Sequence, residues 1–99
     1  MNTSDHKVYL VQFENMTYSI PVQLVRDLLK ISENEGSNQN LVIRLKDNKE
    51  IKGNVIDYVY YNTLYAEDIN VPVSFRIKSN EKIEEITFLE VVSIELQNN

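Results

Sequence analysis

Apolar residues recur at two different spacings along the chain, and the change of spacing separates one helix from a set of strands. Between Val22 and Ile31 they stand three and four residues apart, the spacing of an amphipathic helix that buries one face. Ser19 is placed to cap the first turn, and Pro21 suits a first helical position because its missing N–H is unpaired there anyway. Gly36 follows the last apolar position and predicts the end of the helix.

On both sides of this helix the residues favour strands. Residues 7–13 and 17–20 are strand-forming stretches joined by a short turn, which predicts a β-hairpin. From residue 41 onward apolar and polar residues alternate, so that each strand buries one face, and Gly53 predicts a bend. The strands predicted after the helix cover residues 41–46, 51–65, 71–78, 82–88 and 92–96.

These elements predict a mainly β fold of the α+β class, in which an N-terminal β-hairpin and one α-helix precede a five-stranded barrel. A chain of 99 residues has the size of one domain with a single core. We place that domain at residues 7–99, with the hairpin and helix in 7–36 and the barrel in 41–97. Residues 1–6 are polar and are predicted to form a disordered tail.

The composition argues against catalysis and against a bound cofactor. Without cysteine, the chain has no thiol nucleophile, no thiolate zinc site and no disulfide. Its one histidine, His6, lies in the predicted tail, and two glycines are too few for a phosphate-binding loop or a dinucleotide fingerprint. The adjacent carboxylates of Glu84 and Glu85 point to opposite faces of a strand. We therefore predict that the protein is not an enzyme and binds no cofactor or metal.

Hydropathy and charge argue against a membrane and against nucleic acid as partners of this protein. No apolar stretch reaches the ~18–20 residues that cross a membrane, and the polar first residues are unlike a signal peptide, so we expect a cytoplasmic protein. The net charge of −5 opposes binding to nucleic acid, which needs clustered cations. Residues 44–52 nevertheless carry a local charge of +2 and residues 81–95 a local charge of −4. Such patches suit a protein partner or head-to-tail self-association.

Four of the six tyrosines lie within eight residues of one another: Tyr58, Tyr60, Tyr61 and Tyr65. Three interpretations are open for this cluster. The rings pack within the barrel with their hydroxyls at the surface, they anchor a protein interface, where tyrosine is enriched, or they stack on nucleic-acid bases. The negative net charge argues against base stacking.

The β-rich part resembles the Sm motif in three stretches, which are residues 41–53, Asn62-Thr63-Leu64 and residues 88–95. The first has the motif's apolar alternation, turn and glycine, and the last resembles the closing strand of Sm-like and SH3-like barrels. The resemblance implies an Sm-like barrel behind a helix, and it implies that Asn62 corresponds to a residue of the family's uridine pocket. Asn48 replaces the usual turn glycine, and the family's Asp before the Asn and its closing Arg-Gly are missing. The resemblance therefore bears on the fold more than on RNA binding.

The chain also resembles the bacterial Rho-binding antiterminator proteins, which use an acidic Sm-like barrel after a helix to bind a protein. This resemblance implies a bacterial protein with a protein partner. We predict a non-catalytic protein-interaction module, such as a small regulator or inhibitor. Its candidate contact residues are Tyr58, Tyr60, Tyr61, Tyr65, Glu84, Glu85 and Glu90.

The alternative is an Sm-like RNA-binding oligomer, whose affinity for RNA would fall with salt. Its candidate RNA-binding residues are Arg44, Lys46, Lys49, Lys52 and Asn62. Rings of the Sm-like family form when the edge strands of neighbouring subunits pair. We therefore also predict a homo-oligomer that assembles through the edge strands of the barrel.

Overall fold

The structure, a computed structural model, describes residues 8–63 and 69–97, and of residue 62 the main chain alone. The predicted disordered tail of residues 1–6 lies outside the described residues. The elements in chain order are β1 (Val8–Phe13), β2 (Met16–Pro21), α1 (Val22–Asn34), β3 (Leu41–Leu45), β4 (Glu50–Asn62), β5 (Asn70–Ser79), β6 (Lys82–Thr87), a 3₁₀ turn (Phe88–Glu90) and β7 (Val91–Leu96).

The described strands form two antiparallel sheets. One contains β1 and β2, and the other has the strand order β6-β5-β4-β3-β7. The predicted mainly β fold with one helix and antiparallel sheets is confirmed. The predicted five-stranded barrel is wrong, because the seven strands lie in two sheets and the larger sheet does not close. Helix α1 packs against β4, β5 and β7 and covers the apolar face that barrel closure would otherwise bury.

The tight turns depend on asparagine in a conformation that usually selects glycine. Glu14 and Asn15 join β1 to β2 with φ values of 52° and 67°, and Asn80 and Glu81 join β5 to β6 with 52° and 68°. Two consecutive residues with positive φ make a turn whose twist matches that of antiparallel strands. Asn48, with a φ of 68°, has the same role between β3 and β4, since its short polar side chain tolerates this region.

Helix α1 starts later than the sequence predicts. Strand β2 continues through Pro21, which is the residue before the first helical turn, with φ −66° and ψ 153°. Ser19 pairs with Leu10 of β1 and so does not cap the helix. The helix ends at Asn34, and Gly36 has a φ of 81°, as expected of a glycine that follows a helix.

The core lies between the buried face of α1 and the inward positions of the strands. Val25, Leu28 and Ile31 of the helix are at most 3% exposed, at the three- and four-residue spacing that defines one helix face. Burial of each such side chain contributes ~1.5–3 kcal/mol. The strand residues that are less than 2% exposed are Val11, Ile20, Leu41, Ile43, Val71, Val73, Phe75, Ile77, Ile86 and Ile94.

Gly53 permits a close approach between strands. Strand β4 passes from one neighbour to the other here, because Gly53 pairs with Leu41 of β3 and Asn54 pairs with Lys78 of β5, and the bend expected at Gly53 stays a prediction. Further along, the pairing with β5 shifts register between Val55 and Asp57 and again between Val59 and Tyr60. A Cβ atom at Gly53 would collide with the main-chain oxygen of Lys78 and lie 2.9 Å from Ile77 Cγ2. Glycine is therefore required here by contact with β5.

The side chain of Asn34 joins the end of the helix to the irregular part of β4. Its Oδ1 accepts a hydrogen bond of 3.0 Å from the Val55 N–H, beside the first register shift. Its Nδ2 donates to the Gln39 carbonyl at 2.6 Å, in the loop that leads to β3. Asn34 is 2% exposed and its bond with the Val55 N–H is buried, so water is no equal substitute for this acceptor.

We predict that Asn34→Ala destabilises the protein by roughly 1–3 kcal/mol, because it leaves the buried Val55 N–H without an acceptor. Urea unfolding, followed by circular dichroism, measures the change as a lower midpoint at unchanged slope. Asn38→Ala is the matched control, since Asn38 is exposed in the following loop. Equal midpoints for the two variants would contradict the prediction.

Candidate protein-interaction surfaces

The tyrosines that cluster in the sequence have different environments in the structure. Tyr58 is half-buried and packs against the core, whereas Tyr60 and Tyr61 are 50% and 42% exposed. The rings of Tyr58 and Tyr60 lie 6.2 Å apart. Tyr65 lies outside the described residues. Of the three described tyrosines of the cluster, Tyr60 and Tyr61 are thus available to a partner, next to Val59, which is 53% exposed.

A row of aromatic rings connects the exposed end of β4 to the other side of the hairpin. Tyr61 lies 6.4 Å from Phe13, and Phe13 lies 5.4 Å from Phe88 of the 3₁₀ turn. Phe88 in turn lies 5.4 Å from Tyr18 of β2, and both of its contacts are edge-to-face, which is a favourable geometry for aromatic pairs. This row holds the β1–β2 hairpin against the larger sheet.

An open groove of about 480 Å³ lies at the Tyr18 end of this row. One wall is formed by residues 18–21 of β2 and by the first turn of α1, and the other by the 3₁₀ turn and the start of β7. The residues of the second wall are mostly apolar, and two of them, Leu89 and Val92, are 37% and 53% exposed. The groove was missed in the sequence because its walls come from segments about 70 residues apart. One local feature of the sequence could have indicated it. Val91 and Val92 are adjacent and apolar, and because neighbouring side chains of a strand point to opposite faces, one of the two is expected at the surface.

The predicted RNA-binding cations differ in their ion pairing. Arg44 and Lys52 both pair with Glu50, at 3.4 Å and 3.9 Å. Lys49 is exposed in the turn before β4, and Lys46 lines the apolar groove. Of Asn62 only the main chain is described. The structure thus divides the basic segment, with Lys46 on the groove and Arg44 and Lys52 beside a carboxylate.

Lys46 has no ion pair among residues 8–63 and 69–97, although two carboxylates lie close to it. Asp47 and Glu90 line a neighbouring pocket together with Lys46. Asp47 Oδ1 accepts the Lys49 N–H at 3.0 Å, and Glu90 Oε2 accepts the Thr87 N–H at 2.9 Å. Both carboxylates therefore bond to main-chain groups of their own turns, and the Lys46 ammonium remains available.

The predicted acidic contacts do not converge on one surface. Glu90 bonds to the N–H of Thr87, the residue before the 3₁₀ turn, and so caps the start of that turn. Glu85 lies opposite Arg76, and Glu84 opposite Ile77, so the two point to opposite faces of the sheet. Arg76 also lies opposite Asp57 of β4, which gives a row of alternating charges across three strands.

Within this row, Asp57 and Arg76 form an ion pair. Arg76 Nε donates to Asp57 Oδ1 at 2.8 Å, and Nη2 donates to Oδ2. These hydrogen bonds, with the guanidinium charge, lower the pKa of Asp57 from its ordinary value of 3.8 and raise the pKa of Arg76. The pair is exposed, so its main effect is to fix the outer face of β4 and β5.

Within the described part of the chain, no three His, Cys, Asp or Glu residues are grouped so that they could hold a metal ion. None of its helices is long and apolar enough to span a membrane. No protein-family model, no curated protein and no solved structure matches the chain.

We predict that Arg76→Gln raises the pKa of Asp57 toward 3.8, because the guanidinium that stabilises the carboxylate is lost. Since the folded-state pKa is the lower one, the contribution of the pair to stability is present above pH 3.8 and is lost as pH falls through the folded-state pKa. Carbon-detected NMR titration of the Asp57 carboxyl measures this change. Lys78→Gln, two residues along the same face, is the control and should leave the pKa of Asp57 in place.

Proposed function

We propose that this protein is a non-catalytic protein-interaction module whose binding site is the groove between β2 and β7. The observation that carries the proposal is the apolar lining of an open groove, in which Leu89 and Val92 are exposed. Exposed apolar side chains that line a concave surface are typical of interaction sites. The half-buried Tyr18 adds an aromatic ring to the lining, and aromatic residues are enriched where proteins bind one another.

The charge distribution supports a protein partner over RNA. The chain carries a net charge of −5, and two of the four basic residues in segment 44–52 are paired with Glu50. Phosphate binding needs several cations free to displace counterions. The remaining pair, Lys46 and Lys49, is a weak basis for an RNA-binding surface.

A role as a small regulator or inhibitor, related to Sm-like proteins, is part of the same proposal. Two features support the relationship. Helix α1 precedes the five-stranded sheet, and β7 returns to pair with β3, the first strand of that sheet. Assembly into a homo-oligomer through the outer strands β6 and β7 stays a prediction. At β7 this assembly meets an obstacle, because Lys30 Nζ already donates to the Ile94 carbonyl at 2.8 Å.

The groove is tested by selecting binders from a phage-displayed library of random linear peptides and comparing their affinities for two variants. Val92→Glu places a charge in the apolar groove and should weaken the selected peptides by about tenfold or more. Ile83→Glu is the matched control, because Ile83 is 54% exposed and Val92 is 53% exposed, but Ile83 lies on β6 outside the groove. Equal effects of the two variants, or a library without binders, would contradict the proposed site.

The exposed tyrosines provide a second test of where the partner binds. We expect Tyr60→Ala to leave the groove-selected peptides bound with unchanged affinity, because Tyr60 does not line the groove. Fluorescence anisotropy of labelled peptides measures this affinity. Loss of binding in Tyr60→Ala together with normal binding in Val92→Glu would move the site to the tyrosines of β4. Binding of an oligouridine that weakens with salt would favour the RNA-binding alternative.

A further inference from the structure

We infer that the partner contributes a short extended segment that pairs with the outer edge of β2, at Thr17 and Ser19, and places a carboxylate beside Lys46. This inference rests on the proposed function and specifies how the partner binds. It depends on the free main-chain groups of β2, on the protection of both edges of the larger sheet and on the charge of Lys46.

The turn between β1 and β2 determines which main-chain groups of β2 face away from β1. Both residues of the turn have positive φ, and a two-residue turn of this kind makes Phe13 and Met16 a hydrogen-bonded pair. Such pairs alternate with pairs that share no hydrogen bond, so bonding to β1 recurs at Tyr18. The N–H and C=O groups of Thr17 and Ser19 therefore point outward.

These outward groups are free. Within residues 8–63 and 69–97, no hydrogen bond involves the outward main-chain groups of Thr17 or Ser19, and both residues are exposed. Pro21, which has no N–H to donate, occupies the next outward position, as is usual on an edge strand. Because Ser19 also lines the groove, an extended segment bound there lies beside an open strand edge.

Strand β7, on the other side of the groove, offers no such edge. Its pairing with β3 shifts by one residue at Val92, whose main-chain groups face β3. The Lys46 N–H donates to the Glu90 carbonyl at 2.9 Å, and Lys30 Nζ donates to the Ile94 carbonyl. The partner strand is therefore expected beside β2, with β7 contributing side chains alone.

Strand β6, the other edge of the larger sheet, is protected by charge. Three of its six residues are charged, and the Thr87 N–H at its end bonds to the Glu90 carboxylate. Charged side chains on an edge strand oppose pairing with another chain. Residues 16–20 of β2 carry no charge, so this free edge lacks the protection that β6 has.

An added strand would also use the apolar lining of the groove. Its side chains alternate between the two faces, and every second one lies on the same face as Tyr18. The ring of Tyr18 contacts Phe88, beside which the exposed Leu89 and Val92 line the groove. Pairing with β2 and burial of alternate side chains in the groove are therefore compatible, which is the usual form of strand addition.

The free edge favours an extended partner over a helical one. A helix satisfies its own main-chain hydrogen bonds and would leave the N–H of Ser19 covered without an acceptor, which is costly. The outward groups lie on two residues of β2, Thr17 and Ser19. The paired part of the partner is therefore expected to span roughly three to five residues.

The charge of the segment follows from Lys46. This lysine lines the groove, and the nearby carboxylates of Asp47 and Glu90 bond to main-chain N–H groups. A carboxylate on the segment would complement the ammonium, whereas a cation would be repelled. The segment is therefore expected to combine alternating apolar side chains with an acidic one.

N-methylation of the display-selected peptides tests strand pairing. Each main-chain amide of a peptide is methylated in turn, which removes one N–H and leaves the side chain unchanged. Affinity should fall about tenfold or more at two positions that lie two residues apart, and it should stay the same at the residue between them. A loss at consecutive positions, or at none, would overturn strand addition.

Amide hydrogen exchange measured by NMR identifies the paired edge in the same complexes. The bound peptide should slow exchange at the N–H of Thr17 and of Ser19 by roughly tenfold or more, because a paired amide must open before it exchanges. The Ile83 N–H, on the outer edge of β6, is the control and should keep its rate. Unchanged rates at Thr17 and Ser19 would overturn pairing with β2.

Replacement of the acidic residue of the peptide by glutamine tests the role of Lys46. The replacement should weaken binding about two- to fivefold, as expected of a partly exposed ion pair. In Lys46→Met this difference should vanish, and in the control Lys49→Met it should remain. An absent difference, or one that persists in Lys46→Met, would overturn the assignment of the carboxylate.

The proposed function and this inference fail in different ways. If the selected peptides depend on Val92 but are helical, or leave exchange at Ser19 unchanged, the groove remains the binding site and the inferred partner is wrong. If no selected peptide depends on Val92, both the proposed function and the inference are wrong.

Discussion

The hydrogen bonds of Asn34 fix the relation between the helix and the sheet. Strand β4 shifts register after Val55, and a shift of this kind leaves a main-chain group without its strand partner. The Asn34 amide accepts a hydrogen bond from the Val55 N–H through its oxygen and donates one to the Gln39 carbonyl through its nitrogen. One buried side chain thereby joins the end of α1, the loop to β3 and the irregular part of β4. The direction of α1, and with it the position of its first turn beside the groove, follows from this junction.

The groove arises because the helix brings two sheets together without joining their edges. Strand β2 leads directly into α1, and α1 is bonded to β7 through Lys30. The aromatic contacts of Phe88 with Phe13 and Tyr18 hold the hairpin close. No pairing joins β2 to β7 in the described residues. The groove is therefore a consequence of the packing of α1 and these rings.

Local features were predictable from the sequence, and long-range ones were not. The helix spacing and the turn at Asn48 depend on neighbouring residues, so both could be predicted from the sequence. Barrel closure depends on whether β6 meets β7, which no local pattern reports, and that prediction was wrong. Ser19 was misassigned as a cap because its pairing with Leu10 is a tertiary fact. The sequence left packing and partner binding both open for the tyrosine cluster, and the structure divides it, because Tyr58 packs against the core while Tyr60 is exposed.

Net charge is a poor guide to the chemistry of this groove. The chain is acidic overall, which disfavours the approach of polyanions at long range. At contact distance, the charged groups without an ion-pair partner determine which ligand charge is favoured. Arg76 is paired with Asp57, and Arg44 with Glu50, while Lys46 lines the groove and has no carboxylate partner in the described part of the chain. A single ammonium beside apolar surface is less screened by solvent than one on a flat face. The net charge of the chain therefore does not by itself decide the charge of a segment that the groove would bind.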